Sequence, residues 1–314
     1  MVNVFYKDNE RIKLHQGLDA LSTIPKESIV WIDLIQPSYE ERISTEEICE
    51  IELQTRQEIE EIEVSSRYFE EDNVVINNSH FLIRYDGEFR REPVSFIIKN
   101  NVLISYRNAE LRTFAEMYKR TEYSSKIYDA FHLFLTILEI RIDLDADLIE
   151  YVVKEIASIT PTVVNNQLSE DVLMQISKHQ EETMLIRENI VDKQRVLSSI
   201  LKSDIFPTDL HDRVRIMLKD IGSLLDYTAF SFQRLDYLQN TILGLINIEQ
   251  NKIIKIFTVA TVVFMPPTLI ASIYGMNFEF MPELKWQIGY PLSLVFMLFS
   301  ASITIFIFRR KKWL

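Results

Sequence analysis

Only one cysteine, Cys49, occurs in 314 residues, so no intrachain disulfide and no multi-thiolate zinc cluster can form. Glycine is scarce too: Gly17, Gly87, Gly222, Gly244, Gly275 and Gly289 are all there are. No two are spaced for G-x-G-x-x-G or a Walker loop, so the usual backbone cradle for nucleotide phosphates is missing. The histidines, His15, His80, His132, His179 and His211, are scattered without H-x-x-x-H, and no serine lies in G-x-S-x-G. Each lone histidine reads as an ordinary surface or core residue. Nothing suggests an enzyme, ATP hydrolysis or a nucleotide cofactor, so any transport would be passive or ion-driven. The start, MVNVFYKDNERIK, lacks the basic-then-apolar pattern of a signal peptide, and the body is expected to stay in the cytosol.

Positive charge is also short. The formal net charge is −12, yet residues 251–314 hold seven Lys or Arg against two Glu, leaving −17 on residues 1–250. An acidic body argues against nucleic acid as a partner and is compatible with divalent cations.

What the chain does have is two long uncharged runs, Ile256 to Asn277 and Gln287 to Phe308. Each exceeds the ~20 residues a helix needs to cross the hydrocarbon core. Lys252 and Lys255 precede the first run, and Arg309, Arg310, Lys311 and Lys312 follow the second. Basic flanks stay on the cytosolic side, so both termini are expected inside and the 275–288 loop outside a plasma (inner) membrane. Trp286 and Trp313 suit the two interfaces. Pro266-Pro267 lies within the first span and is tolerated where neighbours or water satisfy the freed carbonyls.

Two spans cannot enclose a polar path, so a conduit needs several copies around an axis. Stepping by 3.5 residues through Asn240, Gly244, Asn247, Asn251, Ile254, Thr258, Thr261, Met265, Thr268 and Ser272 gives a neutral, small-to-polar stripe with one aliphatic break. Ile253, Ile256, Val259, Val263 and Ile270 occupy other faces. A polar stripe on a membrane helix faces protein or water rather than lipid, so it reads as a pore lining, with simple helix packing as the alternative.

Upstream, short strands are expected at 2–6, 29–34, 74–77, 81–85, 94–99 and 102–106, with FIIKNNVLISY a hairpin around Asn100-Asn101. Helices are expected near 44–63, 110–119 and 126–159, and the charged 168–203 segment reads as a solvated helix. The fold class is therefore a mixed α/β (α+β) cytosolic domain, 1–120, and a helical region, 121–206. A stalk helix, 207–274, follows, its membrane part beginning near 254. The 275–288 loop, a second span at 289–308 and a basic tail at 309–314 complete the chain. Pro207 stands where the long helix should begin. Leu218, Ile221, Leu225, Phe232, Leu235, Ile242 and Leu245 suggest a packing seam along it. At 1.5 Å per residue the helix spans roughly 100 Å and links body to membrane.

INIEQNKIIKIF, FMPPTLIASIYGMNFEFMPELKW and the terminal RRKKWL resemble the CorA family of divalent-cation channels, near its proteobacterial branch. Tyr274-Gly275-Met276-Asn277 matches the family signature, at the outer end of the first span. Weaker echoes are WIDLIQPSYEE and ISYRNAELRTFAE. The resemblance implies a homopentamer carrying Mg²⁺, and also Co²⁺ and Ni²⁺, with Gly275, Met276 and Asn277 as the filter. It puts Asn240, Asn247, Asn251, Met265 and Thr268 on the pore, beside Thr258 and Thr261 of the stripe, and Ile254 and Phe257 at a hydrophobic constriction. It also implies closure by cytosolic Mg²⁺, for which Glu58 and Asp220 are candidate ligands.

Mg²⁺ dehydrates reluctantly, and a ring of Asn277 carboxamide oxygens can accept hydrogen bonds from its waters. A neutral ring releases a dication that carboxylates would trap. Gly275 is expected to ease a tight turn at the helix end. Glu279 and Glu283 would concentrate cations or simply solubilise the loop. Lys252, Lys255, Arg309, Arg310, Lys311 and Lys312 would ring the cytosolic mouth or anchor to headgroups. A zinc transporter of the same superfamily is the nearest alternative, although Gly-Met-Asn rather than Gly-Ile-Asn speaks against it. A membrane-anchored cation sensor or scaffold is the other.

Overall fold

The computed structural model describes residues 1–9, 11–54, 67–123, 129–164 and 170–311, in two compact units, Met1–Gln239 and Asn240–Leu314. The first unit holds strands β1 (Val2–Asp8), β2 (Arg11–Gln16), β3 (Ile29–Ile35), β4 (Tyr68–Glu71), β5 (Val74–Tyr85), β6 (Glu88–Lys99) and β7 (Val102–Arg107). They form one sheet in the order β2-β1-β3-β7-β6-β5-β4, in which only β3 and β7 pair in parallel.

The hairpins carry the residues their turns demand. Asn100 and Asn101 both adopt positive φ, as do Asp72 and Asn73, and Asp86 and Gly87. Two consecutive positive-φ residues suit the right-handed twist of the strands they join. The expected hairpin at Asn100-Asn101 is thus present. The strands expected at 74–77 and 81–85 are instead one strand, β5. Its polar middle is largely hydrogen-bonded: Ser79 Oγ donates to Asn77 Oδ1 at 3.0 Å and Asn78 Nδ2 to Gln54 Oε1 at 2.6 Å, while Asn78 Oδ1 has no partner among the described residues. The edge strands β2 and β4 were not expected. RIKLHQ is largely solvent-facing, and YFEE is a half-buried strand of only four residues, so neither carries a clear apolar alternation.

Strand β3, IVWIDLI, is buried on both faces, as a central strand beside a parallel neighbour should be. One face packs Val2, Val4, Ile32, Leu34, Ile97 and Ile104 with Leu21 of helix α1 (Ala20–Thr23) and Leu53. Helix α2 (Tyr39–Cys49) covers this side and begins with a full capping box between Ser38 and Glu41, which satisfies backbone donors at its first turn. The other face is aromatic: Phe5 stacks on Trp31 at 4.3 Å, and Phe114 stacks on Phe96 at 6.2 Å. Over it lie α3 (Arg112–Tyr123), α4 (Ala130–Val164) and α5 (Glu170–Ile200), α4 against α3, α5 and the central strands, and α5 against β5.

After a 3₁₀ turn that starts behind Pro207, helix α6 runs unbroken from His211 to Tyr274. Its buried positions are Val214, Met217, Ile221, Thr228, Ser231, Leu235, Leu238 and Ile242, three or four residues apart except for the seven-residue step from Ile221 to Thr228. The seam runs close to the expected one but excludes Phe232, which is exposed; Thr228 and Ser231 take the inward places instead. Polar contacts tie this part of α6 to α4 and α5. Arg213 Nη2 donates to Thr136 Oγ1 at 2.9 Å and Glu139 Oε2 at 2.5 Å, and Arg234 Nη2 to Thr160 Oγ1 at 3.0 Å. The second unit contains the rest of α6, a 3₁₀ turn at Pro282–Lys285 and helix α7 (Gly289–Arg310).

Candidate functional site: a polar helix face and its terminal corner

Helices α6 and α7 are long and apolar enough to cross a membrane. Within the second unit each has one half-covered stripe. On α6 it comprises Val259, Val262, Val263, Pro266, Pro267, Ile270 and Tyr274; on α7, Ser293, Met297, Ser300, Ala301, Thr304 and Phe308. Ser293 and Phe308 are buried and the rest half-covered, and the small residues of the α7 stripe suit close helix approach. The candidate pore residues lie elsewhere. Asn240, Asn247, Asn251, Ile254, Phe257, Thr258, Thr261, Met265 and Thr268 are all exposed. At 3.6 residues per turn, the centre of their stripe is roughly 180° from the half-covered face. The polar stripe therefore does not lie on the covered face of α6.

The stripe's hydroxyls share one arrangement. Thr258, Thr261 and Thr268 donate to the carbonyls of Ile254, Phe257 and Phe264, at 2.8, 2.9 and 2.8 Å. Each hydroxyl hydrogen is spent on its own helix, which leaves oxygen lone pairs to face outward as acceptors. Acceptors suit the water shell of a cation, whose hydrogens point away from the ion.

At the end of α6, Gly275 N–H donates to Ala271 O at 3.0 Å and Ser272 O at 3.2 Å, and Met276 N–H to Ile273 O at 3.3 Å. The reason for glycine differs from the one expected. Gly275 does not take a left-handed φ; a Cβ there would lie 3.2 Å from the Ala271 carbonyl. Close approach, not turn geometry, is what disfavours a side chain there. Asn277 follows outside the helix, exposed, and among the described residues its carboxamide makes no hydrogen bond. The returning loop is pinned by Gly289, where a Cβ would lie 2.6 Å from the Glu283 carbonyl oxygen. Sequence reasoning missed that role, since an isolated glycine ahead of an apolar run carries no signal of what lies against it. Glu279 and Glu283 are both exposed on this loop.

The basic residues separate from the stripe. Lys252 and Lys255 are exposed on α6 but project from the side that carries Val259 and Val263 rather than from the stripe. Arg309 and Arg310 close α7, Lys311 follows, and Lys312 lies outside the described residues. Glu58 is also outside them, so only Asp220 of the regulatory pair is placed, exposed on α6. It lies near Asp143, whose carboxyl is held above its ordinary range by burial and then by Glu139, with Asp220 adding to the effect. No cluster of three or more metal-ligating side chains occurs among the described residues.

The family described as CorA-like Mg²⁺ transporter protein matches residues 26–310. The chain belongs to that family. A magnesium transport protein CorA from Wolinella succinogenes is 39% identical over 322 residues, covering 100% of both chains. That of Escherichia coli K12 is 35% identical, again over 100% of both. Among solved structures, the complete CorA magnesium transporter of Methanocaldococcus jannaschii superposes with a TM-score of 0.84 at 18% identity, covering 100% of this chain and 99% of that one. The full-length CmaX protein follows at 0.78 and 13%, covering 100% and 98%. The whole fold, α/β body, long helix and paired apolar helices, is thus that of a full-length CorA transporter. Members of this family transport magnesium across membranes and are not enzymes.

Proposed function

We propose that the chain forms a homopentameric channel for passive, potential-driven Mg²⁺ uptake across the inner membrane, both termini in the cytosol, with Co²⁺ and Ni²⁺ as further substrates. Residues from about 254 to 274 line the pore and 289–308 form the outer ring, carried by the cytosolic regions 1–120 and 121–206 and the stalk from 207. A ring of Asn277 selects the hydrated ion at the 275–288 loop. The observation that supports this best is the polar stripe's place on the face of α6 opposite the half-covered one. A polar face left over after the intrachain packing needs other copies of the same helix, and water, in front of it.

Outward-turned acceptors at Thr258, Thr261 and Thr268 suit an ion that keeps its water. The driving force is sufficient: two charges moving inward through 100 mV release about 4.6 kcal/mol. Cytosolic Mg²⁺ would close the pore by bridging carboxylates such as Glu58 and Asp220 between neighbouring subunits, and its loss would let them repel.

The test is Mg²⁺ uptake into proteoliposomes at negative interior potential, with wild type and Asn277→Ala side by side. Potential-driven uptake that disappears in Asn277→Ala is expected. Absence of uptake by both correctly inserted proteins would favour a membrane-anchored sensor, and uptake of Zn²⁺ in preference to Mg²⁺ would favour a zinc transporter.

A further inference from the structure

In this acidic protein one cavity is basic. It has a volume of about 460 Å³ and is bounded by Arg67, His80, Arg91, Arg187, Arg195 and their neighbours on α5. Four guanidinium groups meet two carboxylates, Glu188 and Asp192, in its wall. It shares Arg67, Asp192 and Arg195 with an adjoining hollow of about 540 Å³ that adds Lys202, Ser198 and Ser199. Arg67 Nη1 lies 2.8 Å from Asp192 Oδ1, and Arg91 pairs with Glu188. Arg187 Nη1 donates across to α6, to Leu225 O at 3.2 Å and Thr228 Oγ1 at 3.1 Å. Arg195 has no ion pair among the described residues and is exposed at the junction of the two hollows.

Further hydrogen-bonding capacity stands unused in this wall. The buried Arg67 Nε and His80 Nδ1 have no hydrogen-bond partner among the described residues, and neither does either carboxylate oxygen of Asp192, which leaves Arg67 its charge pairing alone. Burial and the neighbouring Arg67 lower the His80 pKa to about 4, so the ring is neutral at pH 7 and can donate or accept. Several guanidinium groups around a concave, part-buried space match the fork geometry of phosphate oxygens, and the size falls in the range of small-molecule sites.

We propose that this cavity is a binding site for a small soluble phosphate-bearing anion, held by Arg67, Arg91 and Arg195. None of its lining residues belongs to the polar stripe, and its wall residue Arg187 reaches the long helix directly. An anion that drew Arg187 into the cavity would loosen its hold on Leu225 and Thr228, giving the site a handle on α6.

Binding of pyrophosphate and of inorganic phosphate to the intact detergent-solubilised protein, in EDTA, is measured by calorimetry. Pyrophosphate should bind saturably, one per chain, and more tightly than inorganic phosphate. Arg195→Ala and Arg91→Ala should each weaken it about tenfold or more, the loss of one charge-assisted contact, without changing the melting temperature. Lys154→Ala, an exposed cation on α4 paired with Glu150, should leave it unchanged. No saturable binding to wild type, or equal binding to the two arginine variants, would overturn the proposal. The readout does not depend on transport, so it stands or fails apart from the channel reading.

Discussion

Arg107 Nη2 lies 2.9 Å from Asp33 Oδ2, both side chains sealed from solvent between the parallel strands β7 and β3. Asp33 is further satisfied by Ser105 Oγ at 2.5 Å, by Arg107 Nε at 3.3 Å and by the Tyr118 hydroxyl. Trp31 Nε1 donates to the same Ser105 at 2.9 Å. A buried pair contributes less by its own attraction than it costs when half is removed. Asp33→Ala, which strands the guanidinium, should lower stability by about 3–5 kcal/mol. Arg107→Met, which leaves Asp33 its hydroxyl donors, should cost less. Thermal melts of the two variants give the order; the reverse order would contradict this account.

A second buried centre behaves differently, because one carboxylate serves two cations. Asp145 Oδ1 accepts from Arg141 Nη2 at 2.5 Å and Asn189 Nδ2 at 2.9 Å, while Lys193 Nζ lies 3.3 Å from Oδ2. Burial pushes the Lys193 pKa down, against the pull of Asp145. Asp145→Ala should therefore be more damaging than Lys193→Met, by about 1 kcal/mol or more, since it strands two charges rather than none. Denaturant midpoints of the intact protein compare them.

His80 sets a pH dependence. Its folded pKa, about 4, lies below the ordinary 6.5, because burial and Arg67 disfavour the imidazolium. Between those values the unfolded chain binds more protons, so the His80 contribution to stability is complete above pH 6.5 and is lost as pH falls toward 4. His80→Gln should flatten the fall in melting temperature across that window. An unchanged slope would mean that other groups carry it.

Three glycines should respond differently to alanine. At Gly289 a Cβ meets the backbone carbonyl of Glu283 at 2.6 Å, at Gly275 it meets that of Ala271 at 3.2 Å, and at Gly244 it meets nothing within 4 Å. Gly289→Ala should disrupt the 275–288 loop most, Gly275→Ala less, and Gly244→Ala should be tolerated, with a helix gain of up to ~1 kcal/mol. Mg²⁺ uptake and melting temperature, measured on all three, test the ranking.

Removing the Thr268 or Thr261 hydroxyl by valine should leave α6 helical, because each hydroxyl only supplements a carbonyl of its own helix. Uptake should nonetheless fall several-fold while assembly and circular dichroism stay the same. Thr→Ser at either position, which keeps the acceptor, should recover most of the flux. A valine variant with full uptake would remove these oxygens from the ion path.

Much of this was legible in the chain. The apolar runs, their basic flanks and the YGMN corner need only length and charge to be read, and Asn100-Asn101 announces its hairpin because few residues tolerate positive φ. WIDL and ISYRNA, similar to family segments far apart in sequence, turn out to place Asp33 and Arg107 against each other. Strand β5 reads as two strands from sequence because Asn77, Asn78 and Ser79 look like a turn until their buried partners are known. Phe232 entered the seam on hydrophobicity, although the register gives its neighbours Thr228 and Ser231 the inward places. Nor does sequence bring Arg67, Arg91 and Arg195 together, since only the pairing of β5 with α5 makes them one wall.

The two prolines of α6 lie on the sheltered side, opposite the threonines. Lacking N–H groups, they leave the Val262 and Val263 carbonyls without their usual donors, and their rings crowd the preceding turn. The helix is therefore softest in a single plane, the one that runs through both the prolines and the polar stripe. Flexing there opens the proline side and draws the stripe inward as a concave edge, whereas sideways flexing must stretch intact hydrogen bonds. Bending of α6 at Pro266 and Pro267 thus moves the hydroxyl oxygens of the stripe together.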